Sequence, residues 1–138
     1  MARSSQGVVL VETPVSIAAH HRVPYFVGIS RETAGARGIC MHRIVIPPGA
    51  ATAPHSHVGD ESAIDVLEGE VEILHGSGLQ ERLVARAGEF LYIDADWPHQ
   101  ARNPSSDQPA IGLVARNNGD EQEAVVPYDP VAGATAHP

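Results

Sequence analysis

The sequence has no lysine; all nine of its basic residues are arginine. Lysine Schiff-base chemistry, pyridoxal phosphate anchoring and a phosphate-binding P-loop are therefore excluded, because each needs a lysine amine. There is one cysteine, Cys40. It can build neither an internal disulfide framework nor a multi-cysteine zinc or iron–sulfur site. Basic charge is scarce: 9 Arg stand against 17 Asp and Glu, for a net charge of −8. That balance argues against nucleic acid or an anionic membrane as partner, since both repel an acidic body. No apolar run nears the ~18 residues of a membrane span. Val8–Val11 is too short for a signal-peptide core and only Arg3 precedes it, so the expected location is cytoplasmic.

What is present points to strands. The 138 residues read as one domain, with a core over about residues 40–127 and loose ends at 1–6 and 131–138. The 13 Gly and 11 Pro break the chain into short apolar runs. Strands are expected at Gly7–Val11, Pro24–Ile29, Arg43–Ile46, Ser62–Leu67, Glu70–His75, Gln80–Ala85, Glu89–Ile93, Trp97–Arg102, Pro109–Arg116 and Ala124–Tyr128. Turn signals recur roughly every 8–12 residues, and only Ser30–Gly38 can hold a helical turn. The pattern is all-β, an antiparallel sandwich or barrel.

Chemistry concentrates at histidine. His55 and His57 lie two apart on an extended segment, so both imidazoles share one strand face. Glu61 follows four residues after His57, and His99 arrives several strands later. Two histidines, a carboxylate and a third histidine suit one divalent first-row transition metal: Fe, Mn, Ni, Cu, Co or Zn. Four protein ligands around an octahedral ion leave two positions for a chelating substrate, or for substrate and O₂.

In this order and spacing the sequence resembles the cupin superfamily, whose motifs are G-x5-H-x-H-x3,4-E-x6-G and G-x5-P-x-G-x2-H-x3-N. Here the first runs Gly49, His55, His57, Glu61, Gly69, and the second Gly88, His99, Asn103. The resemblance implies a jelly-roll β-barrel with a metal held by His55, His57, Glu61 and His99. It also implies a homodimer, in which an exchanged strand such as Gly7–Val11 covers a sheet edge. The expected function is a metal-dependent enzyme acting on a small organic molecule in the lumen, a dioxygenase or other oxidoreductase, with Glu61 as general base. The alternatives are a redox-neutral isomerase, lyase or decarboxylase, and a non-catalytic binding module.

Two departures from the motifs carry consequences. Seven residues, not six, separate Glu61 from Gly69, so the usual carboxylate slot falls on Ser62 and alternation turns Glu61 outward unless a β-bulge intervenes. Asp60 is a lesser substitute as ligand. Asp94 and Asp96 replace the Pro and Gly of the second motif, at positions that shape a turn. Among the other residues, Cys40 and His42 share a strand face, and Trp97 and Tyr92 suit a pocket mouth or the core. Asp65 and Gln100 read as outward-facing. His20, His21, His75 and His137 read as surface histidines, and Glu68, Glu70 and Glu72 as a solvated strand face.

Overall fold

The computed structural model describes residues 2–5, 7–18, 23–120 and 125–135. The chain opens with β1 (Ala2–Ser5), β2 (Val8–Val11), β3 (Val15–Ala18) and β4 (Pro24–Ile29). One helical turn follows, α1 (Arg31–Ala34), then β5 (Cys40–Ile46), β6 (His55–His57), β7 (Ser62–Glu68) and β8 (Glu70–His75). The last are β9 (Glu81–Arg86), β10 (Phe90–Ile93), β11 (His99–Arg102), β12 (Ala110–Arg116), β13 (Val125–Asp129) and β14 (Ala134–Thr135). All pairings are antiparallel, and they form two six-stranded sheets. One runs β10-β7-β12-β5-β4-β3 and the other β14-β13-β6-β11-β8-β9; β1 and β2 pair apart as a hairpin. The all-β expectation holds.

Local chemistry explains the punctuation. Ser30 caps α1: its Oγ accepts from the Thr33 amide, and Thr33 Oγ1 accepts from the Ser30 amide, a reciprocal capping box. Gly35 then ends the turn in the left-handed region. Gly69 joins β7 to β8 at φ 73°, and a Cβ there would meet the Pro109 carbonyl oxygen at 2.5 Å. No other residue fits that turn.

The sheets close over an apolar layer of Ile46, Val66, Val71, Ile73, Leu91 and Ala110, packed with Ile44 and Ile64. Fully burying one such branched side chain contributes about 1.5–3 kcal/mol. Strand alternation aims Ile44, Ile46, Ile64 and Val66 inward on one sheet and Val71 and Ile73 inward on the other.

Ala2–Ser5 pairs with β2 and Ala134–Thr135 with β13. Two differences from the sequence expectations are structural. Val15–Ala18 is a strand its short sequence did not signal. Glu72, expected on a solvated face with Glu68 and Glu70, is only 2% exposed. It lies between Arg82 and Arg102, which reach it from β9 and β11 on either side. Alternation along one strand reveals a face but not the lateral neighbours that cover it. Burial works to raise the Glu72 carboxyl, yet the hydrogen bonds and charges of the two guanidiniums outweigh it and hold the group below the usual carboxylate value.

Candidate metal centre

His55, His57 and His99 converge between the sheets, each buried to 5% exposure or less. Their ligand nitrogens all lie within 4.8 Å of one another. A single point then exists within about 2.8 Å of all three, so sub-ångström side-chain shifts reach the ~2.0–2.1 Å of a metal–imidazole bond. Ring centroids are 4.4 Å apart for His55–His99, 4.9 Å for His55–His57 and 5.4 Å for His57–His99.

Two of the rings are held in a defined tautomer. His55 Nδ1 lies 2.7 Å from the Ala53 carbonyl, and His99 Nδ1 lies 2.9 Å from the Trp97 carbonyl. A carbonyl only accepts, so each Nδ1 carries the hydrogen, which leaves Nε2 as the nitrogen that can ligate. This backbone bracing is what metal-ligating histidines ordinarily show. The donor set therefore fits a first-row transition ion.

The backbone explains the convergence. β11 lies between β6 and β8, and His99 stands opposite His55 in the register. The turn before β11 is pinned to β6: the Asp96 amide donates to the His57 carbonyl at 2.9 Å, and Asp96 Oδ1 accepts from the Gly59 amide at 3.0 Å. Asp96 adopts φ 62°, the left-handed conformation for which the family motif uses glycine. Its two hydrogen bonds support a conformation that non-glycine residues rarely adopt, so the turn survives the substitution. Asn103, only 1% exposed, is structural: its amide donates to the Ile46 and Gln108 carbonyls, and its Oδ1 accepts from the Ser105 amide.

Glu61 is placed apart from the histidines: it is exposed, and its carboxylate accepts the Tyr92 hydroxyl at 2.6 Å. β7 does contain a bulge, but at Leu67: Val66 stands opposite Gly112 and Glu68 opposite Ile111. Ser62, Ile64 and Val66 keep the inward positions upstream of it, and Glu61 turns outward. The Glu61 hydrogen bond, with smaller contributions from desolvation and Asp94, pushes the Tyr92 phenol up to about 12. Asp60 is buried but accepts from the Asn118 amide at 3.0 Å and stays out of the histidine group. Ser62, 2% exposed, occupies the carboxylate slot, and its Oγ accepts from Arg116 Nε at 2.9 Å.

Beside the histidines is a cavity of about 60 Å³. His55, His99, His42, Tyr25 and Arg116 are its polar lining, and Ile44, Ile64, Ile73 and Leu91 are part of its apolar lining. Gly112 also lines it, and a Cβ there would sit 3.3 Å from the Ile64 side chain. A cleft of about 320 Å³ adjoins it, lined by His75, Leu83, Tyr92, Asp94 and Trp97; His99 borders both spaces. Trp97 and Tyr92 thus frame the mouth. His75, read from sequence as a surface residue, is half-buried there and accepts from the Trp97 indole N–H at 3.0 Å. Gln100 is half-buried and donates to the Thr52 carbonyl at 2.9 Å. Asp65 is half-buried on the opposite face from Ile64. His20, His21 and His137 lie outside the described residues. Arg116 is the lumen residue that sequence reasoning missed; its place in the alternation Ala110, Gly112, Val114, Arg116 was the signal.

Comparison with known proteins agrees with this geometry. Germin-like protein 3-1 from Oryza sativa subsp. japonica is 32% identical over 98 residues, 69% of this chain. The chain spans 43% of that relative's length. A solved oxalate oxidase in complex with glycolate is 28% identical with TM-score 0.54, covering 60% of this chain and 43% of the other. An oxalate decarboxylase–formate complex from Lactobacillus farciminis shares the fold at TM-score 0.70 and 18% identity, over 83% of this chain and 33% of that one. The cupin-domain family model matches residues 42–116, more than half of the chain and all three converging histidines, so the chain belongs to the cupin family.

Proposed function

We propose that this protein is a metal-dependent enzyme that acts on a small organic molecule in the barrel lumen. One observation carries the reading: three buried imidazoles converge, and backbone carbonyls engage Nδ1 of two of them, which leaves Nε2 to ligate. His55, His57 and His99 would hold one divalent transition metal. When bound, such an ion supplies Lewis acidity and, if redox-active, a place for O₂. The chain supplies the rest. Ile44, Ile64, Ile73 and Leu91 give the chamber apolar walls, and His42, Tyr25 and Arg116 also line it. Trp97 and Tyr92 frame the approach.

Oxidation is the reaction class we favour, and the 28% identical oxalate oxidase supports it. A redox-neutral reaction is the second reading, because the fold is shared with an oxalate decarboxylase. Turnover that stops without O₂ supports the first, and turnover that persists anaerobically with Zn²⁺ supports the second. The proposal includes a homodimer. Val8 and Leu10 of the separate hairpin are 65% and 52% exposed, an apolar surface that a second copy would cover.

A further inference from the structure

We infer that a second copy of this chain docks on the outer face of the β10-β7-β12-β5-β4 sheet, about a two-fold axis that runs along β12. The inference rests on the homodimer reading above and names its interface. The residues that carry it lie on the reverse of the wall that faces the lumen.

Alternation sets that face. Ile64, Val114 and His42 turn into the barrel, so Ala63 and Asp65 of β7, Leu113 and Ala115 of β12, and Met41 and Arg43 of β5 turn away from it. The pairing register then strings one residue from each strand into a row across the sheet: Phe90, Asp65, Leu113, Arg43, Phe26. The row reads aromatic, acid, leucine, base, aromatic. Its ends match in kind, its two charges are opposite, and Leu113 stands at the centre. Two sheets packed face to face keep their strands roughly aligned. An axis in the contact plane along β12 therefore places each residue over the one equally far on the other side. Asp65 of one copy faces Arg43 of the second, and Phe90 faces Phe26. Each contact occurs twice, as an isologous interface demands. An axis across the strands would instead set Asp65 over Asp65, so charge selects the direction along β12.

The next row, Tyr92, Ala63, Ala115 and Met41, is uncharged. The same axis brings the small Ala63 over the long Met41. The chain carries −8, so two copies repel in most orientations. These two rows hold one acid and one base and are neutral. They are also wet in a single copy: Phe90 is 76% exposed, Tyr92 61% and Met41 41%. Monomers rarely leave large contiguous apolar patches open. Five strands about 4.8 Å apart and about 20 Å long make a face of roughly 500 Å², so two copies would bury about 1,000 Å², enough for a specific contact.

Sedimentation equilibrium of the full chain tests this. The wild type should sediment as a dimer of the 14.6 kDa chain. Asp65→Arg sets like charges face to face at two places, and so does Arg43→Asp; each should weaken the dimer about 100-fold or more. The double variant, Asp65→Arg with Arg43→Asp, restores opposite pairs and should recover the wild-type dimer to within about tenfold. Misfolding or general surface damage gives no such rescue. Within one chain Leu113 keeps the two positions about 10 Å apart, so the rescue reads the contact between copies. A monomeric wild type overturns both this interface and the homodimer reading. A wild-type dimer that persists in either single variant overturns the interface and leaves the homodimer standing, and so does a double variant that stays monomeric.

Discussion

The two faces of the β6-β11-β8-β9 sheet bury polar groups in opposite ways. On the outer face, Glu72 is 2% exposed but gripped by Arg82 and Arg102, whose heads remain 60% and 47% exposed. Charge is compensated there and the cluster is complete. On the inner face, His55, His57 and His99 are about as deeply buried, and their ligand nitrogens gather within 4.8 Å of one another. Paired charges stiffen a scaffold, whereas gathered imidazoles form a donor set that suits a metal ion. The same strand, β11, contributes to both: His99 inward, Arg102 outward. Burial alone would not have separated the two clusters; the identity of the partners does.

The separation is testable by attacking one face and reading the other. The largest effect expected is on metal binding. His99→Ala should lower Zn²⁺ affinity by about 100-fold or more, since loss of even a supporting partner costs 10–100-fold. The metal-free variant should still unfold cooperatively in urea, so that its lower zinc affinity is read on folded protein, as checked by equilibrium titrations on the variant and the wild type. Next comes Glu72→Ala. Both arginines can rehydrate, so the cost should be about 1–3 kcal/mol, below that of stranding a buried charge. Urea unfolding would measure this, with Zn²⁺ affinity unaltered.

Acid should act on the outer face through the same carboxylate. The folded Glu72 carboxyl lies below its ordinary value of 4.5. Its stabilisation is therefore present above the unfolded value and is lost as pH falls through the lower folded value. Urea unfolding at pH 7 and pH 3 should show a smaller loss in Glu72→Gln than in the wild type. The smallest effect concerns Glu61. Glu61→Gln should change Zn²⁺ affinity by less than about twofold, because loss of a metal ligand would give far more. It should also lower the Tyr92 phenol from about 12 toward its ordinary value of 10, read by ultraviolet titration against Tyr92→Phe.

The strand pattern was legible because it depends on local spacing. Pro24–Ile29 and Glu70–His75 form at the expected residues, and the others lie within a few residues of their expected ends. The three histidines were legible for a related reason: an i, i+2 pair shares a face, and the motif spacing supplied the third. The orientation of Glu61 was not legible, because it depends on where an extra residue is absorbed. A bulge at Leu67 and one nearer Ser62 are indistinguishable in sequence, yet they turn Glu61 to opposite sides. Arg116 and Glu72 were missed because lateral neighbours decide their roles. Ser62 approaches Arg116 across 54 residues of chain, and Arg102 approaches Glu72 only when β8 and β11 pair.

Titration of Zn²⁺ into the metal-free full chain, alongside His55→Ala, His57→Ala and His99→Ala, addresses the histidine site most directly. One equivalent per chain should bind tightly to the wild type, and each single replacement should abolish or severely weaken that event. Failure of the wild type to bind, or binding that survives all three replacements, would contradict the account.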